Sequence, residues 1–177
     1  RDQIVNRAGG NPFFIEEVVR SLIDEGAVVK KKFGFEVTNK INGVVIPPTI
    51  NDVLIARIDR LEEQTRELVK VASVIGRDFA FRLLQTVTGM REDLKRALLN
   101  LQGLEFIYEK QLFPELEYIF KHALTQEVAY NSLLLKRRKE IHESIGEAIE
   151  TLYGDRIEEF YGMLAYHYSK TDNDAKA

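Results

Sequence analysis

Apolar residues recur at helical spacing in one segment after another along this chain, and glycine closes several of those segments. Ile15, Val18, Val19, Leu22 and Ile23 form one stripe, ended by Gly26. Val53, Leu54, Ile58 and Leu61 form a second, and Leu68, Val71, Ala72 and Ile75 a third, ended by Gly76. Such a stripe turns one helical face toward a core. A glycine just past the stripe supplies the left-handed residue that stops a helix. The segmentation predicts a mainly α fold.

Two stretches break the helical period. Residues 27 to 48, AVVKKKFGFEVTNKINGVVIPP, hold the β-favouring pieces VVKKKF and FEVT around Gly34, which predicts a small hairpin or irregular loop. FIYEK and LEYIFK alternate in apolar character and are joined by QLFPE, which predicts a second hairpin. Between the two, Thr49 or Asn51 opens a helix, DFAFRLLQTVTG predicts a short helix ended by Gly89, and MREDLKRALLNLQGLEFI predicts another with Leu94, Leu98 and Leu101 inward. Three helices followed by a hairpin is the order of a winged-helix domain. HALTQEVAYNSLLL, KRRKEIHESIGEAIETLYG and Arg156 to Lys170 then predict three more helices.

Composition limits the function classes. With 177 residues, 45% of them hydrophobic and 30% charged, the chain is expected to be globular, as one compact domain or two small ones. Its net charge of −3 argues against the basic footprint of a nucleic-acid binder. The absence of cysteine removes disulfides, thiolate metal sites and thiol nucleophiles. No apolar run approaches the ~18 residues of a membrane span, and residues 1 to 15 lack the pattern of a signal peptide. A cytoplasmic location is expected. The chain starts RDQIV, without methionine, and ends in the helix-like NDAKA, so it is expected to be a piece of a longer protein.

The motifs of an enzyme are missing. There is no GxxxxGK[ST] loop to cradle phosphates. His122, His142 and His167 have no metal-ligand spacing, and His142 and His167 read as structural. The acid pairs Glu16–Glu17, Glu62–Glu63 and Glu158–Glu159 read as solvated helix faces, since adjacent side chains on a helix point apart. Alone, the chain is expected not to be catalytic.

Four pieces in order carry a resemblance: GGNPFFIEEVVRSLIDEG, IPPTINDVLIARIDRLEEQTRELVKVASVIGRDF, FKHALTQEVAYNSLLLKRRKEIHESIGEAIE and MLAYHYSK. Together they resemble the region after the nucleotide-binding core of STAND-class ATPases, the signalling relatives of AAA+ ATPases. The bacterial group associated with adenylate/guanylate cyclase domains is the most similar in flavour. The resemblance implies a helical lid over residues 1 to 62, a winged helix over 63 to 121, and a helical arm over 122 to 177 leading into tetratricopeptide-like repeats. MLAYHYSK fits the first helix of such a repeat, without the usual tryptophan. One partial repeat cannot bury its own face, so it is expected to lean on the preceding helices or on another chain.

The same resemblance implies the site residues. Gly10–Asn11–Pro12 matches the G-x-P motif of such lids, whose proline packs near adenine. It is equally the punctuation of a helix start. His122 stands where relatives carry the histidine of a Met-His-Asp motif that contacts the β-phosphate of ADP, although here the reading is Lys121-His122-Ala123. Its other reading is a capping or half-buried histidine. Arg57 or Arg60 matches the arginine that AAA+ lids aim at the γ-phosphate, or else forms surface ion pairs with Asp59 or Glu63. ADP or ATP would bind only together with the upstream nucleotide-binding core. That core, the downstream helical repeats and other proteins are the expected partners, and neither nucleic acid nor membrane is. The alternative function is a winged-helix module that binds DNA or protein and dimerises through its helical arm. Against DNA, the helix MREDLKRALLNLQG offers Arg91, Lys95 and Arg96 against Glu92 and Asp93, a poor phosphate-contacting surface.

Overall fold

The computed structural model of the protein describes residues 10–172. The helix tail expected over residues 1 to 8 and the closing NDAKA lie outside the described residues. The chain forms two compact units that meet in sequence between Leu61 and Glu62. At 64% helix and 12% strand among the described residues it is mainly α, as expected, with small antiparallel sheets.

In the first unit, helix α1 (Pro12–Asp24) begins where Asn11 leaves the helical conformation and its side chain accepts from the Phe13 and Phe14 amides. Strands β1 (Val28–Lys31) and β2 (Gly34–Val37) pair antiparallel with Val28 opposite Val37. A short 3₁₀ turn at Asn39–Gly43 leads on to helix α2 (Ile50–Asp59). Thr49, one of the two expected start residues, caps α2 by accepting from the Asp52 amide. The core holds Phe14, Val18, Leu22, Ala27 and Val53. The buried face of α1 is thus centred on Phe14, Val18 and Leu22, whereas Val19 of the expected stripe is 38% exposed.

The second unit starts with helix α3 (Glu63–Ile75), strand β3 (Asp78–Ala80), helix α4 (Phe81–Thr88) and helix α5 (Glu92–Gly103). Strands β4 (Ile107–Gln111) and β5 (Glu117–Phe120) follow. The sheet runs β3-β5-β4, antiparallel throughout, with Phe79 opposite Tyr118 and Tyr108 opposite Ile119. Helices α6 (Ala123–Asn131) and α7 (Leu135–Tyr153), a 3₁₀ segment Gly154–Phe160 and helix α8 (Tyr161–Tyr168) complete it. Leu68, Leu84, Leu94, Leu98, Leu101, Phe106, Ile107, Phe120, Ile145 and Ile149 are almost wholly buried.

Three boundaries differ from the sequence reading. Asp78–Ala80 is a strand and not the start of a helix, because it pairs with β5 nearly forty residues on. The helix expected over HALTQEVAYNSLLL stops at Asn131, and Leu135 starts the next. The helix expected from Arg156 to Lys170 is broken: Arg156 is non-helical (φ −141°, ψ 37°), and the α-helix begins only at Tyr161.

Candidate functional site

Gly10, Asn11 and Pro12 lie at the exposed start of α1. Gly10 has φ +82°, a conformation that suits glycine, and a Cβ there would meet nothing within 4 Å. Pro12 takes the first helical turn, where it forfeits no hydrogen bond. The Asn11 Oδ1 accepts from the Phe13 amide at 3.0 Å and the Phe14 amide at 3.4 Å. The donors that would greet an anion at this helix start are therefore already engaged. The proline ring and the open backbone beside it can still receive a flat apolar group.

Arg57 occupies a different kind of place. Its side chain is 2% exposed and pairs with Glu17, itself 3% exposed, and with Asp24 at 3.0 Å. Arg60 pairs with Glu25 and donates to Ser21 at 2.8 Å. The two arginines of α2 thus lock onto acidic groups of α1 and its C-terminal end. Burial pushes the Asp24 carboxyl above its ordinary value, and Arg57 opposes that rise. In this arrangement the Arg57 guanidinium serves packing inside the first unit.

His122 is half-buried and stands at the N-cap position of α6. Its side chain does not cap the helix, although its carbonyl accepts from the Thr125 amide at 3.1 Å. The capping alternative raised from sequence is therefore not what the ring does. Lys121 beside it pairs with Glu105 at 2.8 Å.

Two arrangements were not visible in the sequence. His142 on α7 and His167 on α8 are both buried, with their Nδ1 atoms 2.8 Å apart. One ring must donate and the other accept. The Tyr130 hydroxyl lies 3.2 Å from the His142 Nε2, and the His167 Nε2 is buried with no hydrogen-bond partner among the described residues. Both rings are held down to about 4, His142 by burial and the nearby Lys170 and Arg138, His167 by burial and the His142 ring. The pair is thus neutral at physiological pH.

The second arrangement joins Tyr153, at the end of α7, to the β4–β5 turn. Its hydroxyl donates to the Glu115 carboxylate at 3.0 and 3.1 Å. Burial and this anion push the phenol up to about 12, so it stays protonated as a donor. The Tyr153 ring stacks on Phe160 with centroids 4.0 Å apart. Only the tyrosine and phenylalanine content was legible in advance, because Glu115 and Tyr153 are 38 residues apart.

No family model matches the chain. No curated protein matches it either.

Proposed function

We propose that this chain is the regulatory part of a nucleotide-switched signal-transduction ATPase of the STAND class. Residues 1 to 62 act as the helical lid, 63 to 121 as a winged helix, and 122 to 177 as an arm leading into tetratricopeptide-like repeats. The observation that carries the reading is the order α3-β3-α4-α5-β4-β5, with β5 central in its sheet and α6 beginning directly after it at His122. One strand that joins a hairpin across two intervening helices supports the winged-helix reading. Support for the arm comes from α8, whose Tyr168 ring packs tightly against Gly146 of α7.

In this reading the nucleotide is held against a core that precedes residue 1 in the parent chain. The Pro12 ring lies against the adenine, where Gly10 leaves room for close approach. His122 donates to the β-phosphate of ADP at the start of α6, where the helix dipole also favours an anion. ADP stabilises the closed state, ATP exchange releases it, and the arm passes the motion on. Such a switch needs a ligand that binds the two states differently, and these two contacts supply the difference. Arg57 contributes by fixing the lid helices rather than by touching phosphate. A cyclase output would reside elsewhere in the parent protein, and a cytoplasmic setting follows from the same reading. No described helix is long and apolar enough to cross a membrane.

Protein, rather than DNA, is the partner that suits the second unit. Leu99 on α5 is 67% exposed, and Leu112 and Phe113 at the β4–β5 turn are 67% and 89% exposed. Arg96, a would-be phosphate contact, is tied to Asp93 at 2.8 Å.

The test is the nucleotide that co-purifies with a chain extended upstream to a phosphate-binding loop, sought within roughly 200 to 300 residues, about one to two domain lengths. ADP retained by the wild type and lost from His122→Ala is the expected result. Equal retention by both would make His122 structural, and absence of ADP from the wild type would remove the resting-state clamp.

A further inference from the structure

The Glu115–Tyr153 contact borders a half-enclosed cavity of about 140 Å³ built entirely from the second unit. Its apolar walls are Phe79, Leu83, Phe160 and Met163, with the Tyr153 ring beside them. A dry cavity of about 150 Å³ accepts one benzene molecule, so this one has room for a single six-membered ring. The stacked Tyr153 and Phe160 rings and the Met163 thioether suit a flat guest, since aromatic edges and sulfur both pack favourably against a ring.

The charge around the cavity is unbalanced. Asp78, Glu115 and Glu117 line it against a single ammonium, that of Lys110. Lys110 pairs with both Asp78 and Glu117, the latter at 3.3 Å. That leaves Glu115, which is half-buried and receives only the Tyr153 hydroxyl. Among the described residues no cationic group lies within ion-pair reach of it. Arg82 acts on the Tyr153 hydroxyl only through space, while Arg156 lies 5.6 Å from the Tyr153 and Phe160 ring centroids and pairs with Glu159 at 3.7 Å. A half-buried carboxylate with one neutral donor keeps unspent acceptor capacity and favours a cation.

We propose that this cavity binds a small ring-bearing monocation, an amidinium or ammonium on one six-membered ring. The ring lies against Phe160, Tyr153 and Met163, and the charged head pairs with Glu115. The ligand is a free small molecule, because the enclosed volume admits no more than a single ring. This site is separate from the nucleotide contacts proposed above and stands whether or not those hold.

Benzamidine is the probe, titrated calorimetrically into the 177-residue chain beside its neutral isostere benzamide. Benzamidine is expected to bind with a Kd of about 1 mM or tighter, as befits so small a ligand. Benzamide should bind at least about tenfold more weakly, and Glu115→Gln should cost benzamidine about tenfold, the difference one charged hydrogen bond makes. Met163→Trp, at a partly exposed position on the wall, should fill the cavity and abolish binding. It decides the matter if Glu115→Gln does not fold. The proposal is overturned if no binding appears up to about 10 mM benzamidine, if benzamide binds equally well, or if Met163→Trp leaves affinity unchanged.

Discussion

The Nδ1 atoms of His142 and His167 face each other at 2.8 Å inside the packing of α7 against α8. Tyr130 and Tyr166 pack edge-on against His142, and Arg138 and Lys170 supply the positive charge nearby. Among the described residues no carboxylate contributes to holding a proton on either ring.

This geometry sets a pH dependence. Each ring has a folded value of about 4, below the ordinary 6.5. Between those values the unfolded chain binds more protons than the folded one, so stability rises with pH across the window. The contribution is fully present above about 6.5 and is lost as pH falls toward 4. Thermal unfolding should therefore lose roughly 3–8 °C over that interval. In the double variant His142→Leu/His167→Leu the loss should shrink, since replacing both rings by apolar groups removes the titration and takes a partner only from the half-buried Tyr130 hydroxyl. An equal loss in that variant would place the acid sensitivity elsewhere.

Gly146 meets Tyr168 so closely that a Cβ at 146 would lie 2.5 Å from the Tyr168 Cζ. Alanine is otherwise the better helix former by about 1 kcal/mol. The buried Tyr168 ring cannot swing aside freely, so overpacking should win. Gly146→Ala is expected to destabilise by about 1–3 kcal/mol, measured by urea unfolding. Adding Tyr168→Leu should recover part of that loss, because the clash and its partner are removed together. A neutral or stabilising Gly146→Ala would show that the two helices can separate at little cost.

The Arg57–Glu17 pair predicts an asymmetry between two acids on one helix. Glu17 is buried and paired with Arg57, whereas Asp24 is more exposed and its carboxyl is raised by burial. Removing one partner of a buried pair leaves an uncompensated charge and costs about 3–5 kcal/mol. Glu17→Gln should therefore be far more damaging than Asp24→Asn. Arg57→Lys should also destabilise, because a single ammonium cannot reproduce a guanidinium bonded through two nitrogens. Comparable small effects for both acid variants would contradict this account.

What was legible in the sequence was local. Asn11 and Pro12 announce α1, Gly34 centres the first hairpin, and Gly76 and Gly89 end their helices, because capping and turn chemistry act over a few residues. Strand β3 was not legible: three residues carry no period, and the pairing that makes Phe79 a strand residue lies at Tyr118. The histidine pair was missed for the same reason, since residues 25 apart follow no ligand spacing. Gly146 did leave a trace, because a glycine inside a helical stripe often marks close approach. The partners of Arg57 could not be read, as Glu17 and Asp24 come from another helix.

The start of α1 allows its structural and ligand roles to be separated. Asn11 accepts from two amides, so Asn11→Ala should cost about 1 kcal/mol of stability. The Pro12 ring makes no hydrogen bond and the amide it lacks is not needed in the first turn, so Pro12→Ala should change stability by less than about 1 kcal/mol. If the proline ring lies against adenine, Pro12→Ala in the upstream-extended chain should still lower nucleotide retention several-fold. Asn11→Ala should do so only in proportion to its lost stability. Retention that follows stability for both variants would mean that Gly10–Asn11–Pro12 is a helix start and nothing more. A loss specific to Pro12 would require a contact made by its ring, since neither the helix nor its cap depends on it.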